Sequence, residues 1–240
     1  MPAEGLTVKY KTELHCHTKE ISPCSGESGA EVAKKYIDHG YTTLVITNHF
    51  TEWIANDRVK GETWEEKLAY YYGAVDLVRE AAGDRLNVLC GMELRMNGDP
   101  NDYLVFGAKP EDFYEIPYVF NLCIRDVHSY LNSRGAIIIQ AHPFRFGMQL
   151  THPSFVDGYE IANGHPGHHS HNDLAEAWAK RFVNHDPIMT TGTDEHEPSH
   201  VPNGGIMTDA PITSNDELLA VLRSRDYELI RPVLDQDPTL

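Results

Sequence analysis

Five apolar runs with strand character along this chain each end in a residue that can ligate a metal ion, and few folds can accommodate that pattern. Residues 9–14 run into His15 and His17. Residues 43–47 (TLVIT) are followed by Asn48 and His49. Residues 86–89 lead through Cys90, Gly91 and Met92 to Glu93. Residues 136–141 end at His142, and residues 188–193 at Asp194 and His196. Two further runs, 103–106 and 159–162, share the enrichment in β-branched and aromatic residues that marks buried strands. Helical patterns lie between them. Residues 30–39 precede Gly40, a residue suited to a helix C-terminus. Residues 64–82 follow a capping box made by Thr63 and Glu66. Residues 173–184 carry Leu174, Ala177, Trp178 and Phe182 at helical spacing, and Ser214 with Glu217 opens a last helix. Strands alternating with helices indicate parallel βα units. Several such units in 240 residues predict an α/β barrel, closed or distorted, with an open doubly wound sheet as the other possibility. In a barrel, the C-terminal strand ends converge on one face, so ligands far apart in sequence meet there.

The local spacing agrees with that convergence. Residues i and i+2 of a strand point to the same side, so His15 and His17 can hold one ion while Cys16 points away. Asp194 and His196 can do the same, or serve two neighbouring ions. Imidazole suits Zn and Fe, carboxylate suits Mn and Mg, and the mixed set fits Zn, Mn or Fe. A carboxylate such as Glu93 can bridge two ions, which an imidazole cannot. The chain holds 14 histidines, so roughly one HxH pair is expected by chance. The weight therefore rests on five strand ends carrying ligands together.

Charge narrows the partners. Twenty basic residues against 36 acidic ones give a formal charge of −16, which repels nucleic-acid phosphates and anionic membranes. No stretch approaches the roughly 18 apolar residues of a membrane span, and residues 1–10 lack the apolar core of a secretory signal. Four cysteines (Cys16, Cys24, Cys90, Cys123), none in a CxxC pair, fit reduced thiols in a cytoplasmic protein. Cys90 and Cys123 read as small buried hydrophobes. Residues 231–240, with two prolines, read as a C-terminal tail on a single domain spanning 1–240.

The stretches ELHCHT (13–18), VITNHF (45–50), GMEL (91–94), QAHPFR (140–145), GYEIANG (158–164) and GTDEHE (192–197) resemble, in order and over nearly the whole chain, the PHP (polymerase and histidinol phosphatase) family. The resemblance implies a single-domain distorted (β/α)7 TIM-like barrel with a centre of two to three divalent ions (Zn, Mn or Fe). It also implies phosphoesterase activity. Carried over position by position, His15, His17, Glu93 and Asp194 would hold one ion. Glu93 would bridge to a second on His142, and His49 and His196 would hold a third. Glu93, Asp194 and His196 would then be the catalytic set. Two departures stand out. The second motif of the family often reads Asp-His where this chain has Asn48-His49. The additional ligands of three-metal members have no histidine counterpart here; Glu20 or Cys24 could substitute after the first motif, and Asp102 after the third.

The expected activity is hydrolysis of a small-molecule phosphate monoester, such as a histidinol-phosphate-like, sugar or nucleotide phosphate, by metal-activated hydroxide. No GxSxG or CxxxxxR loop offers a protein nucleophile. Arg145, just past His142, is the expected phosphate clamp, with Arg95 and Lys19 as weaker candidates. In the histidine-rich segment 165–171, His165 and His168 are the expected contacts to substrate or leaving group, and His171 opens the next helix. His185 and His200 read as surface residues. Alternatives are a phosphodiesterase on a short or cyclic phosphate, an amidohydrolase-type barrel, and a catalytically silent metal-binding module.

Overall fold

The computed structural model describes residues 9–182 and 184–233. The expected strands form, and all join one mixed sheet. In chain order these are β1 (Tyr10–Glu13), β2 (Tyr41–Ile46), the two-residue β3 (His49–Phe50), β4 (Asn87–Leu94), β5 (Tyr103–Phe106), β6 (Ile137–Gln140), β7 (Gly158–Asn163), β8 (Ile188–Gly192), β9 (Ile206–Thr208) and β10 (Glu228–Leu229). Their order in the sheet is β10-β9-β1-β2-β4-β5-β6-β7-β8, with β3 paired to β4. The helices are α1 (Gly29–Asp38), α2 (Glu52–Asp57), α3 (Trp64–Gly73), α4 (Val75–Ala82), α5 (Ile124–Asn132), α6 (Asn172–Lys180) and α7 (Asn215–Ser224). None among the described residues is long and apolar enough to cross a membrane.

The sheet curls until its first and last parallel strands meet. Just past β1 and β8, Cys16 bridges Glu195 in parallel register, and the Asp194 amide donates to the His15 carbonyl at 2.9 Å. Buried Glu13 stitches the same seam. Its carboxylate accepts from the His15 and Thr193 amides at 3.0 Å and from the Thr193 hydroxyl. The result is a distorted α/β barrel, as expected, with two departures. Strand β5 runs antiparallel to both β4 and β6, because only residues 95–102 join it to β4 and no crossover helix fits in that length. Strands β9 and β10 add an antiparallel ribbon on the outer edge of β1.

Side-chain alternation sorts the core. Val45, Leu89, Leu104, Phe106, Ile137 and Ile139 point inward and meet Leu218, Leu219 and Leu222 of α7, which closes the floor. Leu44, Ile46, Val88 and Cys90 point outward onto α1 and α4. Along β4 the inward face runs Leu89, Gly91, Glu93, so the same period that builds the core delivers a carboxylate to the top of the barrel.

Helix boundaries follow their caps. Thr63 and Glu66 form the expected capping box, but the predicted helix over 64–82 divides at Ala74 into α3 and α4. Ser214 caps α7 by accepting from the Glu217 amide. The helix expected over 173–184 stops at Lys180. Residues 52–57 form α2 behind the Thr51 cap. Cys90 is buried as expected, but Cys123 is exposed, because it stands at the N-cap of α5 rather than in a strand. Of the anticipated tail, Arg231 forms a two-pronged ion pair with Glu176 at 2.8–2.9 Å, and residues 234–240 lie outside the described region.

Candidate metal centre

All seven residues anticipated from sequence as candidate ligands converge at the top of the barrel. His15 and His17 follow β1, His49 opens β3, and Glu93 stands near the end of β4. His142 follows β6, and Asp194 and His196 follow β8. His15 Nε2 lies 3.4 Å from Glu93 Oε1 and 3.3 Å from Asp194 Oδ1. His17 Nε2 lies 3.3 Å from Glu93 Oε2 and 3.3 Å from Asp194 Oδ1. Ligands about 2.0–2.1 Å from a tetrahedral ion stand roughly 3.3–3.4 Å apart, so these four residues already present atoms at the spacing of a coordination shell. Both imidazole nitrogens are buried without a hydrogen-bond partner. Buried polar atoms are rarely left so in a folded protein, and a divalent cation is the partner that would satisfy this set.

Two neighbouring positions share the same residues. His142 Nε2 reaches Glu93 Oε1 at 3.2 Å and stands 3.9 Å from Asp102 Oδ2. Because β5 runs antiparallel, the residue before it, Asp102, faces the centre. Asp102 is also held by the Arg95 guanidinium, with Nε to Oδ1 at 2.6 Å. On the other side, ligand atoms of His17, His49 and His196 lie within 4.8 Å of one another. His49 Nδ1 contacts Glu93 Oε2 at 2.7 Å, and His196 Nδ1 contacts the Asp194 carbonyl at 2.9 Å. The arrangement can therefore hold two or three ions around Glu93.

Backbone geometry at the centre is costly. His142 and Asp194 have φ of 28° and 55°, values that non-glycine residues adopt at about 1–3 kcal/mol each. Both are ligand candidates. At Gly192, an added Cβ would stand 2.4 Å from the His15 Cβ, so that position must be glycine for His15 to reach the site.

Electrostatics follow from burial. Burial opposes ionisation of Asp194 and Glu93. Even so, His15, His17 and Arg145 around Asp194, and His49 and His15 beside Glu93, hold both carboxyls well below the usual range. Burial likewise opposes protonation of His15, yet Asp194, Glu160 and Glu93 raise it well above the ordinary imidazole value. His17 is shifted the other way, first by burial and then by His196 and His49.

Several contributors were not anticipated. Glu160 Oε1 contacts His15 Nδ1 at 2.9 Å, and Oε2 accepts from the His142 amide at 2.9 Å and from Asn163 at 3.0 Å. It fixes the tautomer of one ligand and the backbone of another. Its signal was an acidic residue inside the apolar run of GYEIANG. Asn163 accepts from Arg145 at 2.8 Å and donates to Asp194 at 3.1 Å. His200, expected on the surface, is buried. Its Nδ1 accepts from the His196 amide at 3.2 Å, and its ring packs on His165. Asn48, where the family often has Asp, accepts from the Thr18 amide at 2.8 Å and the Ser22 hydroxyl at 2.9 Å. Ser22 in turn reaches His17 Nδ1 at 3.3 Å. Glu160→Gln is expected to lower metal affinity about 10–100-fold, measured by competition with a chromogenic chelator; unchanged affinity would remove this role.

Arg145, His165 and His168 line a cavity of about 630 Å3 directly above the ligands. Arg145 Nη2 contacts Asp194 Oδ2 at 2.7 Å, and its buried Nε has no partner. Burial, then neighbouring His196 and Arg145, push His165 down to about 4 against the pull of Asp194. His168 is lowered also by burial and Arg145. Arg95 lines the cavity, but Lys19 is exposed beside Glu31. His171 both lines the cavity and caps α6 in left-handed conformation.

A PHP domain profile matches residues 13–185, and the chain belongs to the PHP family. Among curated proteins none matches the sequence. Among solved structures, it is similar to a two-domain protein from Bacteroides vulgatus described as containing a predicted PHP-like metal-dependent phosphoesterase. The TM-score is 0.66 at 15% identity, covering 94% of this chain and 65% of that one. This chain thus spans less than two thirds of that protein. PsfC from Pseudomonas syringae aligns with a TM-score of 0.62 at 13% identity, covering 88% of each chain. An amidohydrolase from Chromobacterium violaceum, solved with sulfate and no metal, aligns with a TM-score of 0.54 at 15% identity, covering 93% of this chain and 98% of that one. Likeness at these identities speaks for the shared barrel alone.

Proposed function

We propose that the chain is a metal-dependent phosphomonoesterase acting on a small-molecule phosphate. The observation that carries this reading is the juxtaposition of buried ligand atoms at coordination spacing with a guanidinium and two imidazoles that line the same cavity. When bound, two or three divalent ions would supply Lewis acidity and lower the pKa of water towards roughly 7. His15, His17, Glu93 and Asp194 would hold one of them, His142 with Glu93 a second, and His49 with His196 a third.

The chain's own residues do the rest. Asn163 and Asp194 hold Arg145 by one terminal nitrogen, which leaves its other donors for a phosphoryl oxygen at the mouth of the site. His165, held low near 4, is neutral at neutral pH and is too weak a base to carry a proton to a leaving group. It serves as a hydrogen-bond partner that orients the ester. The net charge of −16 disfavours a long nucleic acid and leaves small phosphates as the matching class.

The test is a panel of phosphomonoesters, phosphodiesters and amides presented to Mn- or Zn-loaded protein, with and without chelator. Chelator-sensitive release of phosphate from monoesters is expected. Hydrolysis of amides alone, or no chelator-sensitive activity on any phosphate ester, would overturn the reading. Within it, Arg145→Gln should lower kcat/KM roughly 10–100-fold. A charge-assisted hydrogen bond contributes about 1.5–3 kcal/mol, which is about that factor in rate. Wild-type kinetics in the variant would take Arg145 out of substrate binding.

A further inference from the structure

We infer that Cys24 supplies a thiolate ligand to the ion position of His49 and His196, so that one part of the centre is sulfur-and-nitrogen while the rest is carboxylate-and-nitrogen. The inference concerns metal binding and does not rest on which bond is hydrolysed.

Of the two residues after the first motif that could complete this position, the fold commits one elsewhere. Both carboxylate oxygens of Glu20 accept from the Gly29 amide, at 3.1 and 3.2 Å, at the start of α1. Cys24 is placed the opposite way. The segment between β1 and α1 folds back over the centre, pinned by the Gly26 amide to the His196 carbonyl at 2.7 Å and by the Lys19 amide to the Glu27 carbonyl at 2.8 Å. This places Cys24 in the lining of the ligand cavity, in company with His49 and His196. Those two imidazoles each spend Nδ1 inside the protein, on Glu93 and on the Asp194 carbonyl, which leaves Nε2 of each as the ligating atom. His17 Nε2, buried and without a satisfied hydrogen bond, borders the same space. The other thiols are elsewhere: Cys16 points to the His17 carbonyl, Cys90 is buried in the wall of the barrel, and Cys123 caps α5.

The donor chemistry then divides the centre. Thiolate with imidazole favours Zn or a similarly soft ion, whereas the carboxylate-bearing positions also accept Mn or Mg. Metal-free protein titrated with Co2+ provides a readout independent of catalysis. Wild type should develop a near-ultraviolet sulfur-to-cobalt charge-transfer band, and Cys24→Ser should lose it while keeping the visible ligand-field bands of the remaining sites. In parallel, Zn2+ should protect Cys24 but not Cys123 from alkylation, followed by mass spectrometry of the labelled peptides. A loaded wild type without the band, a band of equal strength in Cys24→Ser, or alkylation of Cys24 unaffected by zinc would each overturn the assignment. Phosphatase activity would be untouched by any of those three results, so failure here and failure of the phosphoesterase reading are separable.

Discussion

Glu93→Gln is expected to abolish chelator-sensitive phosphate release, with kcat reduced at least about 1,000-fold, or about 4 kcal/mol, and to lower the bound metal content. The reason is that a single carboxylate serves the whole centre. Oε1 stands 3.4 Å from His15 Nε2 and 3.2 Å from His142 Nε2; Oε2 stands 3.3 Å from His17 Nε2 and 2.7 Å from His49 Nδ1. Glutamine keeps the shape but removes the charge and turns an NH2 group on two of these nitrogens. Elemental analysis checks the metal loss and steady-state kinetics the rate. Circular dichroism of the metal-free proteins should be the same for both, because the side chains are isosteric, which separates a ligand's loss from misfolding. Full metal content with near-normal kcat would remove Glu93 from the centre.

The second large effect concerns stability. Lys35 on α1 reaches Glu195 at 2.9 Å and also pairs with Glu27, and both acids are buried. Lys35→Met would leave two buried carboxyls without a cation, a loss of about 3–5 kcal/mol at a pH where both are ionised. Its pH dependence has a defined sign. Burial first, and then neighbouring Glu27, push Glu195 up to about 8 even with Lys35 present. The folded state therefore binds more protons than the unfolded chain, whose glutamates titrate near about 4.3. The contribution of Glu195 is thus fully present at low pH and fades as pH rises through about 8. Without Lys35 the acids are held protonated still more strongly, so the deficit of the variant should be larger near about pH 9 than near about pH 5. Urea denaturation at both values tests this; a loss under about 1 kcal/mol, the scale of a surface pair, would show the cluster to be dispensable.

Much of the architecture was legible because two independent signals coincided. Runs such as TLVIT and AIIIQA carry strand propensity, and each stops at a ligand, so strand ends and site residues located one another. The direction of β5 was not legible. The run YLVF looks the same in either orientation, and only the shortness of residues 95–102 betrays a hairpin. Glu13 and Glu160 were overlooked for the opposite reason. Each is an acidic residue within an apolar strand, a placement tolerated only when hydrogen bonds are waiting, and here they serve the seam and His15. His200 carried no local signal, since its burial depends on the loop after β8 folding back onto His165. Cys24 against Glu20 could not be decided without knowing which side of the 18–28 segment faces the barrel.

The seam between β1 and β8 has a consequence for how the fold is held. His15 and His17 lie on one side of it and Asp194 on the other, and only a few backbone contacts join the two edges directly. An ion shared by those three residues would link positions about 180 apart in sequence. It would join the two ends of a segment that makes up most of the chain, and because the site exists only when the barrel is closed, its binding would stabilise the folded state by mass action. An ion bound there would therefore also be the clasp of the barrel, and a chelator would loosen the fold as well as empty the site.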